Sequence, residues 1–205
     1  LFLACQSEPK GDRAETGEAF EEQALIGDNS FSLEQGVVFW TGYGVGKQHT
    51  GTIKITDAQL FTKDKELIGG SFVFDLNTLE VTDLTEDKGK SDLEKHLRSG
   101  DFFQADEYPT GKFLITSVSP ITGKEGVTHE ILGNLTIKDI TRGIRFEAEI
   151  VADGNSIRAK TPDFVINRTE WNVMYGSDLI GTAKEKLISN DVTLAIGLNG
   201  RRNAN

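Results

Sequence analysis

From Phe31 onward the chain alternates apolar and polar positions, the period-two pattern of a strand with one buried face. The clearest run is 143–151, where Ile144, Phe146, Ala148 and Ile150 share one face and Arg145, Glu147 and Glu149 the other. In 131–138, Ile131, Leu135 and Ile137 oppose Asn134, Thr136 and Lys138. Val192, Leu194, Ile196 and Leu198 form a third stripe. Ile53 with Ile55, and Phe72 with Phe74 and Leu76, form two more. With further strands at about 32–42, 111–119 and 156–167, the pattern predicts eight. Turn signals at 122–126, 138–139 and 153–155 favour short, antiparallel connections. Gly69, Gly70 and Gly133 fall inside strand patterns and suggest bulges or tight bends.

One segment breaks the period. Ser91 followed by Glu94 reads as a capping box, Leu93 and Leu97 share a helical face, and Gly100 supplies a stop. This predicts one short helix inside the long connection 79–109. A second irregular stretch, 167–186, holds Trp171 and Tyr175 and has the length of a functional loop or mouth cover. The fold class is therefore all-β. Eight one-sided antiparallel strands hide their apolar faces in a two-sheet sandwich or a closed barrel, and closure also removes exposed edges. A barrel of this size holds packed side chains or one small ligand.

The two ends read differently. Residues 1–5 run Leu-Phe-Leu-Ala-Cys and resemble the end of a bacterial lipoprotein signal peptide, a pattern in which Cys5 is the lipidated residue. The usual motif has Leu and a small residue where this chain has Phe2 and Leu3. An ordinary thiol is the other reading of Cys5. Residues 6–29 carry few large apolar groups and an acidic cluster at Glu18, Glu21 and Glu22, which predicts a flexible acidic tether, within which Phe20, Leu25 and Ile26 could dock on the domain or begin a short strand. As loose coil it would reach roughly 25–30 Å. Residues 200–205 read as a disordered tail, which leaves 30–199 as the folded domain.

Composition narrows the function. Lys and Arg number 22 against 32 Asp and Glu, and 22 − 32 gives a net charge of −10. This argues against a nucleic-acid partner, whose phosphates need Lys and Arg. There is no run of 18 apolar residues to cross a bilayer as a helix. One Cys excludes an internal disulfide or a multi-Cys metal site, and three scattered His leave little for a metal centre. The stretch 42–47 is glycine-rich but lacks the phosphate-loop spacing and is followed by a strand, not a helix. His129-Glu130 fails the zinc-protease pattern because Gly stands at 133. No nucleophile elbow occurs, and carboxylate pairs such as Asp106-Glu107 read as a solvated face. No catalytic residue, metal or cofactor is expected.

Residues 97–113, LRSGDFFQADEYPTGKF, resemble the signature of the YceI-like family. The order of other landmarks matches as well: GKQHTG at 46–51, GNLTIK at 133–138 with Asp139 where Gly is common, NRTEW at 167–171 and YGS at 175–177. Together they span roughly 31–199. The resemblance implies a lipocalin-like eight-stranded barrel, closed on one side by the short helix. It implies one long amphiphilic lipid inside, such as a polyisoprenoid quinone precursor, an isoprenyl phosphate or a fatty amide. It also implies secretion to the periplasm, with lipoprotein members held to a membrane, and no established catalytic residues.

On that basis the expected cavity residues are Phe39, Phe72, Phe74, Phe113, Ile115, Leu135, Ile137 and Phe146. Leu97, Phe102, Phe103, Trp171 and Tyr175 are expected at the lid and mouth, with His49 and Arg168 as head-group candidates. Core filling is the competing reading for Phe72, Phe74 and Phe146, helix anchoring for Phe102 and Phe103, and ion pairing for Arg168. The leading expectation is a lipid-anchored protein of the bacterial cell envelope that stores or transports a long-chain lipid or isoprenoid on the periplasmic side of a membrane. Placement on the outer surface and pairing as a homodimer stay open. The rival is a non-catalytic structural or interaction lipoprotein with a filled barrel. A lipid isomerase or hydrolase is a third reading and would require a titratable pair at His49.

Overall fold

The computed structural model describes residues 8–24 and 27–204. Cys5 and the rest of the lipoprotein-like start lie outside the described residues. Eleven strands and one α-helix follow in chain order: β1 Asp12–Arg13, β2 Glu15–Gly17, β3 Asn29–Gly44, β4 Lys47–Lys63, β5 Glu66–Val81, α1 Lys90–Arg98, β6 Thr110–Pro120, β7 His129–Ile137, β8 Ile140–Ala152, β9 Ser156–Lys160, β10 Phe164–Asn167 and β11 Ile188–Arg202. Each of β3 to β8 pairs with the next antiparallel strand, β8 then pairs with β9, β9 with β11, and β11 with β3. Eight antiparallel strands thus close into a barrel.

Alternation decides what points inward. On β8, Ile144, Phe146, Ala148 and Ile150 are buried while Arg145, Glu147 and Glu149 face outward. On β3 the phase changes midway. Leu33 pairs with Gly200 and Gln35 with Asn199, so Glu34 is an extra residue against β11. Phe31 is inward before this bulge, and Val38 and Trp40 are inward after it. Phe39 is thereby turned to the outside and is 50% exposed, which corrects its expected place in the cavity.

Three further expectations change. The single strand foreseen at 156–167 is two strands, interrupted at Thr161-Pro162-Asp163; Pro162 brings no N–H to a ladder. β8 pairs with β9 only over Glu149–Ala152, and over Gly143–Arg145 its neighbour is β2. β1 meanwhile runs parallel to β10. Between these two short strands, Ala14 is buried, and its N–H donates to the Val165 carbonyl at 2.9 Å.

The expected tether is therefore, over residues 10–20, a strap that completes the barrel wall. The Lys10 N–H donates to the Thr193 hydroxyl, which donates in turn to the Lys10 carbonyl. Farther along, the Asn134 side chain accepts from the Phe20 N–H at 2.8 Å and donates to its carbonyl at 2.9 Å. Backbone pairing orders this polar stretch, whose one large apolar residue, Phe20, is half-buried at its end.

The first half of the expected tail is likewise strand. β11 runs to Arg202, and the Asn203 N–H donates to the Ser30 carbonyl. The helix is where the pattern places it, but its cap is different. Gly89, at φ +85°, precedes the first turn, the Ser91 hydroxyl donates to Glu86, and Glu94 accepts from the Val81 N–H, tying the helix to β5. Ser99, not Gly100, ends it, its hydroxyl donating to the His96 carbonyl.

The barrel is filled at one end only. Phe31, Leu60, Leu67, Ile131, Ile150, Ile157 and Leu198 are buried there without touching the hollow. Ile115 lies on that side too, one inward position beyond Phe113, which corrects its expected role as a cavity residue. Above this plug Phe72, Phe113, Phe146 and Phe164 form a belt, with ring centroids 5.3, 5.4 and 4.8 Å apart. Gly133 permits it: a Cβ there would lie 2.3 Å from the Phe113 ring. Replacing Asn134 with Ala should release the strap. Amide exchange at residues 18–22 is expected to quicken, and stability in urea to fall by about 2 kcal/mol, with the β6–β7 ladder still protected.

Candidate functional site

Above the phenylalanine belt the barrel is hollow, with a cavity of about 470 Å³. This is the size of a site for a small lipid-like molecule. The belt is its floor. Val38, Ile53, Leu76, Ile144, Leu194 and Ile196 contribute to its walls, together with Phe74, Leu135 and Ile137. Leu93 and Leu97 of α1 close one side of the mouth, and Phe102 and Phe103 follow directly after the helix. The stretch after β10 crosses the other side with Trp171, Val173 and Tyr175.

The mouth is built by specific bonds. Trp171 is fully buried, and its indole N–H donates to the Leu135 carbonyl at 2.9 Å. The Lys138 ammonium donates to the Phe102 carbonyl at 3.2 Å and to the Asn172 carbonyl at 3.3 Å, joining the two mouth segments. His96 stacks edge-on against Phe102 at 5.1 Å and Tyr175 at 4.7 Å, and its Nε2 lies 3.0 Å from an Asp101 oxygen. The helix and the mouth loop are thus clasped by three aromatic rings.

Arg168 is the buried charge of the site. Its Nε–H donates to the Ser189 carbonyl at 2.9 Å, one Nη to the Ile188 carbonyl at 3.1 Å, and the other to the Val173 carbonyl. Its carbon Cζ lies 5.9 Å from the Phe102 ring centroid. Among the described residues no carboxylate lies within ion-pairing distance of it. The competing reading of Arg168 as an ion-pair partner is therefore replaced by three carbonyl bonds. Burial pushes the guanidinium down to about 10, and it remains a cation at neutral pH.

His49 lines the mouth, with Nδ1 3.0 Å from Asp83. Burial pushes the Asp83 carboxyl up, but the Thr50 N–H and His49 outweigh it and leave it below the ordinary value of 3.8. Sequence reasoning passed over Trp40, whose indole N–H is buried on the cavity wall with no acceptor among the described residues. Its signal was present, since Trp is rare here and Trp40 lies in a predicted strand, but the phase of β3 was misread. Phe164 and Ile166 were missed because 156–167 was treated as one uninterrupted strand.

The geometry can hold a hydrocarbon in the closed interior and a polar group at the mouth. Donors dominate there: Arg168, Lys47, Lys186 and the two histidines face one carboxylate, Glu185, at the rim. Tyr43 also lines the site, but its hydroxyl is already bonded to Thr193 at 2.9 Å. Among the described residues no group of three His, Cys, Asp or Glu is placed to hold a metal. None of their helices is long and apolar enough to cross a membrane.

Comparison with known proteins finds a YceI-like domain over residues 30–199. Protein YceI of Shigella flexneri is 30% identical over 105 residues, covering 51% of this chain and 50% of its own. A UPF0312 protein of Photorhabdus laumondii is 33% identical over 94 residues, covering 42% and 46%. The chain thus spans about half the length of the curated relatives it matches. Among solved structures, BcnA of Burkholderia cenocepacia gives a TM-score of 0.62 at 17% identity over 80% of this chain and 95% of its own. A polyisoprenoid binding domain from Saccharophagus degradans gives 0.60 at 12% identity over 84% and 98%. These likenesses establish the fold.

The depressed Asp83 carboxyl sets a pH dependence. A lowered folded pKa stabilises the fold above the unfolded value and loses that contribution as pH falls through the folded one. The stability difference between the wild type and Asp83→Asn should therefore be present at pH 6 and shrink below pH 3.8, as read by urea unfolding across that range.

Proposed function

The chain belongs to the YceI-like family, and from that premise we propose that its barrel holds one long-chain amphiphilic lipid, a polyisoprenoid or similar molecule, for storage or transport. The observation that carries this reading is the apolar cavity of about 470 Å³, floored by four phenylalanines and bordered by the helix, the mouth loop and the β3–β4 hairpin. A buried tail of twenty carbons returns about 16 kcal/mol before the cost of immobilising the chain, so a long lipid can be held without any polar contact. Phe72, Phe74, Phe113, Leu135, Ile137 and Phe146 meet the tail. Leu97, Phe102, Phe103, Trp171 and Tyr175 enclose it.

The head group rests at the mouth and is an acceptor, a carbonyl, carboxylate or phosphate. Arg168 brings a buried positive charge beside it, and His49 a further polar contact. The protein acts as a carrier or store without catalysing a reaction, needs no metal or cofactor, and has no nucleic-acid partner. It works in the bacterial cell envelope, on the periplasmic side of a membrane, to which lipidated Cys5 ties it.

Native mass spectrometry of the protein purified from cell envelopes is expected to show a bound apolar molecule of several hundred daltons. Empty protein that also fails to take up long-chain lipids would overturn the reading.

A further inference from the structure

Six large apolar side chains are exposed on the described surface, and four of them belong to segments that frame the cavity mouth. Val45 stands at the tip of the β3–β4 hairpin, beside Gly46 at φ +69°. Tyr175 lines the mouth. Leu179 and Ile180, at 64% and 58% exposure, sit on one 3-10 turn between Tyr175 and the stretch 185–187, and both of these flanks line the mouth.

Polar bonds fix that turn outward. The Ser177 hydroxyl accepts from the Leu179 N–H at 3.1 Å, the Gly181 N–H donates to the Asp178 carbonyl at 3.1 Å, and the Asn190 amide donates to the Asp178 carboxylate at 2.8 Å. Two apolar side chains are thus held toward solvent by a turn that does not depend on burying them.

Free cations stand beside these side chains. Lys47, Lys184 and Lys186 are exposed, and none forms an ion pair with a described carboxylate, although the chain as a whole carries ten more acidic than basic residues. Asp83 and Asp101 face His49 and His96, Glu185 lies between two of the lysines, and Asp178, bonded to the neutral Asn190 amide, keeps its charge. Apolar knobs with unpaired lysines beside them match the boundary between acyl chains and phosphates of an anionic bilayer, where the long lysine side chains reach the phosphates.

We propose that the mouth is a membrane-docking face. It seats on an anionic lipid surface with Val45, Leu179 and Ile180 in the interfacial layer and Lys47, Lys184 and Lys186 over the phosphates. The apolar rim continues into the cavity wall through Val45 and Tyr175, so a hydrocarbon chain passes between bilayer and barrel without crossing open water. That passage rests on the lipid-binding reading of the cavity, whereas the docking itself does not.

The test uses the full chain with Cys5→Ser, so that no acyl anchor contributes. Its affinity is measured by sedimentation with vesicles of phosphatidylglycerol and phosphatidylethanolamine, and with vesicles of phosphatidylcholine alone. Binding to the anionic vesicles is expected and should weaken with salt. The double variant Leu179→Asp/Ile180→Asp should lose at least tenfold in affinity, and each lysine changed to Gln about fivefold. Because Leu179 and Ile180 do not line the cavity, the double variant should keep its thermal midpoint and its lipid loading by native mass spectrometry. Loss of loading in the unaltered protein would defeat the cavity reading and leave docking standing. Equal vesicle affinity for the double variant and its parent, or no affinity for anionic vesicles, would overturn the docking face. So would a dimer that the double variant breaks without any vesicle binding, which would assign the face to a second copy.

Discussion

Closure of the sheet is the constraint on which everything else depends. Each strand has one apolar face, and a ring is the arrangement that hides all of them while leaving no free edge. β11 makes the closure. It pairs with β3 over most of its length, with β9 toward one end of the barrel and with β10 toward the other. Where β10 replaces β9, β8 has no partner in the ring, and residues 12–17 supply one. The strap is thus a structural answer to the interruption at Pro162. It also explains how Asn134, on an outward-facing position of β7, comes to be buried.

The interior divides into a filled half and a hollow half at the phenylalanine belt. The filled half does what any core does, removing apolar surface from water at about 25 cal/mol per Å². The hollow half gives up part of that stabilisation, and its walls hold their shape through the ring around them and the clasped mouth above. Arg168 shows the same division of labour. Its three carbonyl bonds fasten the mouth loop to the start of β11, while its charge stays beside the cavity. One side chain therefore serves both architecture and electrostatics, which is why neither reading of it from sequence was complete.

Much of the barrel was legible because period-two burial writes itself into composition. On β8 and β7 the inward set matches the apolar stripe residue for residue. Phe39 shows where this fails. One extra residue at Glu34 reverses the phase, and nothing in the local sequence marks the bulge, so an aromatic residue in a strand was placed inside when its neighbour Trp40 is. Ile115 was correctly seen as inward, but depth along the barrel is not encoded by alternation. The strap was legible only at Phe20, because the rest of it is ordered by hydrogen bonds of its main chain, to β8, to β10 and to the Asn134 and Thr193 side chains, which its own composition does not mark. The Ser91–Glu94 pair fits a capping motif in sequence, yet tertiary partners Glu86 and Val81 claim both side chains.

The strap also fixes an order of assembly. Lys10 bonds a residue 183 positions away, and Phe20 one 114 positions away. β1 rests on β10, and Lys10 on β11, so this first strand has nothing to pair with until almost the last have been made, whereas β2 waits only for β8. Local hairpins β3–β4 and β7–β8 can zip early, whereas sealing the wall closes the longest loop in the molecule and belongs to the slow, high-contact-order end of folding. Until that seam shuts, the barrel has a slit beside β8 and β10, and the nascent protein is open laterally in a way that the finished one is not.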